Sequence, residues 1–180
     1  MNNPQTRPSS PSAILDATAC RRIDREVAKY PAEQKQSAVM AALAIAQDSH
    51  RHLSPEVIEA VADYLGMAPI AVHEVASFYN MYNTRPMGRF KLAVCTCLPC
   101  ELRDGAKAGE FLKSRLGVDY NETTPDGLFT LVQSECLGSC GDAPVMLVNN
   151  KRMCSFMNVE RMDALIAELR AQGQGDPGER

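Results

Sequence analysis

Five of the seven cysteines in this 180-residue chain fall between positions 95 and 140. They are Cys95, Cys97, Cys100, Cys136 and Cys140, with Cys20 and Cys154 outside the group. Clustered thiols cross-link, bind metal or do redox chemistry, and the choice between these depends on the compartment. The opening segment MNNPQTRPSSPS holds no apolar stretch, so no secretory signal is expected, and a disulfide scaffold is disfavoured. A chain this long with 45 % hydrophobic residues has no need of cross-links to build a core. Metal or redox chemistry remains.

Several other classes fall away. The net charge of −3 comes from 19 basic against 22 acidic residues and implies no basic face, so nucleic acid is not an expected partner. The longest apolar run, Val39 to Ala46, is far short of the roughly 20 residues a spanning helix needs, so no direct membrane insertion is expected. Neither a G-x-G-x-x-G nor a GK[ST] loop occurs, so the chain offers no dinucleotide or phosphate cradle of its own. His73-Glu74 begins like a zinc-protease helix but lacks the second histidine.

Composition and periodicity divide the chain. Residues 1–12 and 172–180 are polar and rich in Pro, Gly or Ser and are expected to be disordered tails. Residues 13–85 form the expected helical domain. Leu15, Ile23 and Val27 mark one stripe, and Val39, Leu43 and Ala46 a second. Ser54-Pro55-Glu56 opens a third helix that Gly66 stops, and Pro69 opens a fourth. Phe78, Tyr79 and Tyr82 are expected in the core or at a domain interface. Residues 86–171 form the second domain. Phe90 to Val94 alternates as a strand, Leu102 to Leu116 is a helix weakened by Gly105 and Gly109, and Leu128 to Val132 is a second strand. Val145–Val148 and Arg152–Phe156 form a hairpin about Asn149-Asn150, and Val159 to Leu169 is a final helix. The order β-α-β-β-β-α makes a small α/β layer with one connection available for a parallel crossover.

In that layout Cys95 ends the first strand and Cys136 lies just beyond the second. If these strands are parallel neighbours, both cysteine loops leave the same sheet edge and four thiolates can converge. Gly138 and Gly141 allow tight turns there, and Thr96, Ser139 and free backbone N–H groups can donate to sulfur. Spacing alone leaves iron–sulfur and zinc ligation both open. Four thiolates are the usual set for an iron–sulfur cluster, while Cys97, Cys100, Cys136 and Cys140 make an acceptable tetrahedral zinc set. Cys97-Leu98-Pro99-Cys100 also has the form of a thioredoxin-type dithiol, where a lowered thiol pKa makes a nucleophile.

The runs VCTCLPCELRDG and ECLGSCGDAPVMLVN, with AVHEVASFYNMYNTRP before them, resemble the 24 kDa family of respiratory complex I (NADH-quinone oxidoreductase) over about residues 15–170. The resemblance implies an N-terminal helical bundle followed by a thioredoxin-like domain carrying one 2Fe-2S cluster. It implies Cys95, Cys100, Cys136 and Cys140 as the ligands. One departure stands out: Cys97 occupies a position where threonine or another non-cysteine residue is expected. The implied function is one-electron transfer in an NADH:quinone oxidoreductase. The partner is a flavoprotein subunit holding FMN and NADH, with other peripheral-arm subunits around it. The implied location is cytoplasmic, peripheral to the inner face of the membrane, or the matrix in a mitochondrion. The same module serves in NAD-linked hydrogenases and formate dehydrogenases. Cys20 and Cys154 fall in apolar-periodic segments and are expected to be buried structural thiols.

Overall fold

The computed structural model describes residues 14–174, so the tail expected at 1–12 and most of that at 172–180 lie outside the described residues. The chain divides into two compact units between Pro86 and Met87.

The first unit is helical. Asp16 caps α1 (Ala17–Val27) by accepting a 2.6 Å hydrogen bond from the Ala19 amide. Pro31 ends that run, a 3-10 segment covers Ala32–Ala38, and α2 (Val39–His50) follows. Helix α3 (Pro55–Leu65) begins as its sequence dictates. The Ser54 hydroxyl accepts from the Val57 amide and proline takes the first turn. Gly66 then ends the helix at φ 68°, where its amide donates to the last carbonyls at no steric cost to glycine. Pro69 opens α4 (Pro69–Phe78). Leu15, Ile23, Leu43, Leu53, Val61 and Val72 fill the core, with small Ala42, Ala46 and Ala76 between them. Tyr82 is buried and donates to the Met40 carbonyl at 2.8 Å. Phe78, however, is 79 % exposed and Tyr79 is also exposed. These two rings do not join the core, because Phe78 closes α4 on the side away from Val72 and Ala76, the buried residues of that helix.

The second unit is a four-stranded sheet in the order β2-β1-β3-β4. Strand β1 (Phe90–Cys95) pairs in parallel with β2 (Phe129–Ser134), from Phe90↔Phe129 to Cys95↔Ser134. On its other side β1 pairs antiparallel with β3 (Met146–Val148), which turns back as β4 (Arg152–Cys154). Asn149 and Asn150 both have positive φ and turn the chain within the three residues that separate Val148 from its partner Arg152. One sheet face carries Phe90, Leu92, Val94, Phe129, Leu131, Met146 and Val148 against Leu112 of α6 (Gly105–Leu116) and Met162, Leu165 and Ile166 of α7 (Val159–Gln174). Strand β1 is buried along its whole length, Lys91 included, and burial lowers the Lys91 pKa.

Three boundaries differ from expectation. The helix expected from Leu102 to Leu116 is broken. A short α5 (Leu98–Glu101) comes first, Asp104 turns left-handed at φ 67°, and α6 starts at Gly105. A Cβ at Gly105 would sit 2.7 Å from the Cys100 carbonyl oxygen, so this glycine is a close approach rather than a weak helix residue. Strand β4 stops at Cys154, short of the expected Phe156, because the Phe156 amide leaves the ladder to donate to Asp142 O at 2.7 Å. Helix α7 runs to Gln174, past the expected end of order at 171.

Candidate metal centre

Parallel pairing of β1 with β2 puts both cysteine loops at one sheet edge. Cys95 is the last residue of β1, and its amide donates to the Val145 carbonyl at 3.1 Å. Cys100 lies on α5, where Pro99 fits the first turn. Cys95 and Cys100 are 2 % and 1 % exposed and pack with Ala143 and Val145. Two residues beyond β2 comes Cys136, followed by Cys140. Both are exposed, with their sulfurs 3.8 Å apart. An inner pair and an outer pair therefore face the same space, and charge couples one to the other: Cys140 senses Cys95, and Cys100 senses Cys140.

Donors to sulfur come from the backbone. Burial pushes the Cys95 thiol up, yet the amides of Cys97 and Leu137 and the neighbouring Cys100 and Cys97 thiols bring it below its ordinary value. Burial also raises Cys100, and its hydrogen bond to Cys95 raises it further, against a donation from the Val145 amide. The Gly138 amide donates to the Cys136 sulfur at 3.4 Å, and Gly138 has the positive φ (78°) that such a turn requires. Cys140 is raised first by its hydrogen bond to Cys136 and then by the charge on that sulfur. The hydroxyls expected to serve sulfur are engaged elsewhere: Thr96 with Ser134 and Gln133, Ser139 with Asp142. Gly141 has no positive φ and does not share the role of Gly138. Backbone amides carry no residue-type signal, which is why Leu137 and Val145 escape a reading of the sequence.

Two thiolates on one tetrahedral metal, with bonds of about 2.3 Å, lie roughly 3.8 Å apart, which matches the Cys136–Cys140 separation. Among the described residues no three or more His, Cys, Asp or Glu side chains are arranged around a common point as a metal site would be. Cys136 and Cys140 are spaced to hold one metal, Cys95 and Cys100 are hydrogen-bonded neighbours, and two thiolate pairs with amide donors to the sulfurs are what a two-iron cluster takes. The fifth thiol is different. Cys97 donates to the Glu135 carboxylate at 3.3 Å, and that contact first, then burial, pushes its pKa up to about 11. A dithiol nucleophile needs the opposite shift. Cys154 is buried and Cys20 half-buried against their cores, as expected of structural thiols.

Known proteins share this architecture. The chain is 40 % identical over 149 residues to NADH-quinone oxidoreductase subunit 2 of Thermus thermophilus, covering 83 % of this chain and 82 % of that one. It is 42 % identical over 154 residues to a second NADH-quinone oxidoreductase subunit, from Rhizobium meliloti, covering 86 % and 90 %. With NADH dehydrogenase [ubiquinone] flavoprotein 2 of Dictyostelium discoideum it shares 42 % identity over 130 residues, spanning about half of that longer protein (53 %). An NAD+-reducing [NiFe]-hydrogenase, solved in its air-oxidised state, has the same fold at a TM-score of 0.65 and 23 % identity over 74 % of this chain, which spans 23 % of the hydrogenase chain. The model of the thioredoxin-like [2Fe-2S] ferredoxin family matches residues 23–170, from α1 through both cysteine loops to α7. The chain belongs to the thioredoxin-like [2Fe-2S] ferredoxin family.

Proposed function

We propose that this chain is the electron-carrying 24 kDa-type subunit of an NADH:quinone oxidoreductase, holding one 2Fe-2S cluster on Cys95, Cys100, Cys136 and Cys140. The observation that carries the reading is the parallel pairing of β1 with β2, which brings both cysteine loops to one sheet edge, with Cys136 and Cys140 at a metal-bridging separation. When bound, such a cluster supplies one-electron oxidation and reduction without bond-making in the protein. The chain's own residues do the rest. Cys95 and Cys100 hold the buried side, where Ala143 and Val145 exclude water. Amides of Cys97, Leu137, Gly138 and Val145 offset the negative charge on the sulfurs. The exposed Cys136–Cys140 loop is the side open to a redox partner.

The relatives at about 40 % identity guide the choice of assembly, and the hydrogenase likeness is one of fold. The proposed partner is the flavoprotein subunit with FMN and NADH, because flavin converts a two-electron hydride into single electrons. In this reading residues 13–85 are a helical bundle domain and residues 86–171 the cluster domain. No described helix is long and apolar enough to cross a membrane, so attachment to the inner face of the membrane is through the other subunits. The test is anaerobic purification followed by visible and EPR spectra. A reddish-brown protein with about two irons and two acid-labile sulfides is expected. It should not oxidise NADH alone. Colourless protein with one zinc, or NADH-dependent dye reduction by the pure chain, sinks the reading.

A further inference from the structure

Asp142 joins the outer cysteine loop to the chain that leaves β4. One carboxylate oxygen, Oδ2, accepts from two hydroxyls, Ser139 at 3.2 Å and Ser155 at 3.1 Å. Ser139 immediately precedes Cys140, and Ser155 immediately follows β4. Backbone bonds run alongside: the Phe156 amide donates to Asp142 O at 2.7 Å, and the Met157 amide to Pro144 O at 2.9 Å. Those two bonds hold the chain downstream of Cys140. The carboxylate carries the hold back across Cys140 to the residue before it. The far side is itself anchored. Arg161 of α7 donates to the Ser155 carbonyl at 3.1 Å and to the Phe156 carbonyl at 3.5 Å. Phe156 is left-handed at φ 53°, a conformation that costs a bulky side chain energy and persists where surrounding contacts fix it.

We propose that Asp142 is a positioning residue for the centre. By fastening the Ser139–Cys140 end of the outer loop to the Ser155–Phe156 turn, it keeps Cys140 in place as a ligand and limits how readily the loop opens. The proposal rests on the reading that Cys140 holds the cluster. The fastening matters there because Cys140 is exposed and stands outside the packed group that holds Cys95 and Cys100. Both hydroxyls converge on a single oxygen, so the carbonyl oxygen of an asparagine can serve in its place. The agent is the acceptor and its position, and the negative charge is secondary.

The test compares the cluster-loaded full chain as wild type, Asp142→Ala, Asp142→Asn, Ser155→Ala and Ser139→Ala. Two quantities are read: the rate of anaerobic cluster loss to excess chelator, and the EPR g values of the reduced centre. Asp142→Ala should lose the cluster on the order of tenfold faster, the size of one net hydrogen bond to a charged group, with shifted g values. Ser155→Ala should reproduce most of that change, because it cuts the link between loop and turn. Ser139→Ala should fall between it and wild type. Asp142→Asn should stay near wild type in both quantities. If Asp142→Asn matches Asp142→Ala, the charge is the agent and the proposal fails. It fails as well if Ser155→Ala is indistinguishable from wild type, which would leave Asp142 a cap on its own turn. Hydrogen exchange of the cluster-free chain gives a second measurement, valid even for a variant that does not load. In Asp142→Ala and Ser155→Ala, residues 139–143 and 155–157 should gain exchange together while both cores keep their protection. Faster exchange at 139–143 alone overturns the proposal. A wild-type protein without iron and sulfide overturns the cluster reading itself, before any variant is compared.

Discussion

The two cysteine pairs are the same chemical groups in unlike settings, and the difference shows how a metal centre is divided between scaffold and loop. Cys95 and Cys100 belong to regular elements, are buried, and sit against Ala143 and Val145. Cys136 and Cys140 lie in a run of turns after β2 and are exposed. The inner pair is held by hydrogen-bonded backbone whether or not anything is bound. The outer pair is held by short local contacts: Gly138 to the Cys136 sulfur, and Asp142 to Ser139 and Ser155. Rigid elements place ligands more accurately, while a loop leaves the site open to loading and to a partner.

The largest effect expected from this contrast is in ligand substitution. Cys95→Ser or Cys100→Ser should abolish the visible spectrum of the cluster, since a buried side chain on a strand or short helix cannot move to rescue it. Cys136→Ser or Cys140→Ser should leave part of the cluster with a shifted spectrum, because the exposed loop can adjust. Iron and sulfide assays with visible spectra check both, and equal loss from all four would erase the distinction between the pairs. Cys97→Ser should leave the spectrum largely intact.

A smaller effect is expected at Gly105. A Cβ there meets the Cys100 carbonyl carbon at 2.8 Å as well as its oxygen. Gly105→Ala must therefore push α5 away from α6, at roughly 1–3 kcal/mol for a forced shift in packed structure. Chemical denaturation should show that loss, and the cluster should bleach faster. Gly141→Ala, with nothing within 4 Å of its Cβ, is the control on the outer loop and should change neither.

The smallest effect is a pH dependence of the cluster-free protein. The Cys97 thiol goes from 9.0 to about 11, chiefly through its hydrogen bond to Glu135. A raised pKa means the folded state binds the proton more tightly, so this contribution is complete below pH 9 and disappears as pH rises from 9 to about 11. Melting temperatures across that window should fall more steeply for wild type than for Cys97→Ala. The two curves should run parallel below pH 9. Parallel curves throughout would show that the contact carries no stability, in keeping with its exposed position.

The sequence is most legible where local chemistry decides the backbone. Ser54-Pro55 and Gly66 bound α3 by capping and by a left-handed stop, and Asn149-Asn150 dictate the hairpin. The placement of both cysteine loops at one sheet edge also follows, since it needs only two strand ends and a parallel pairing. Where long-range packing decides, the sequence is silent or misleading. Gly105 reads as a flaw in a helix and is a contact with Cys100. Thr96 and Ser139 are plausible sulfur donors by type, but neighbouring acceptors take their hydroxyls. Glu135 gives no signal, because a single acidic residue in a loop has meaning only through what faces it.

Residue types and their spacing were thus enough to determine that this chain brings two cysteine loops to one sheet edge, and the family resemblance rests on the same residues. Only the tertiary structure decided that the four divide into a buried and an exposed pair, which amides serve them, and that Cys97 faces Glu135. The physical reason is range. Caps, turns and strand ends are set by neighbours within a few residues, whereas burial and hydrogen-bond partnership depend on segments such as 95–100, 134–140 and 143–145 that meet only after the sheet has closed.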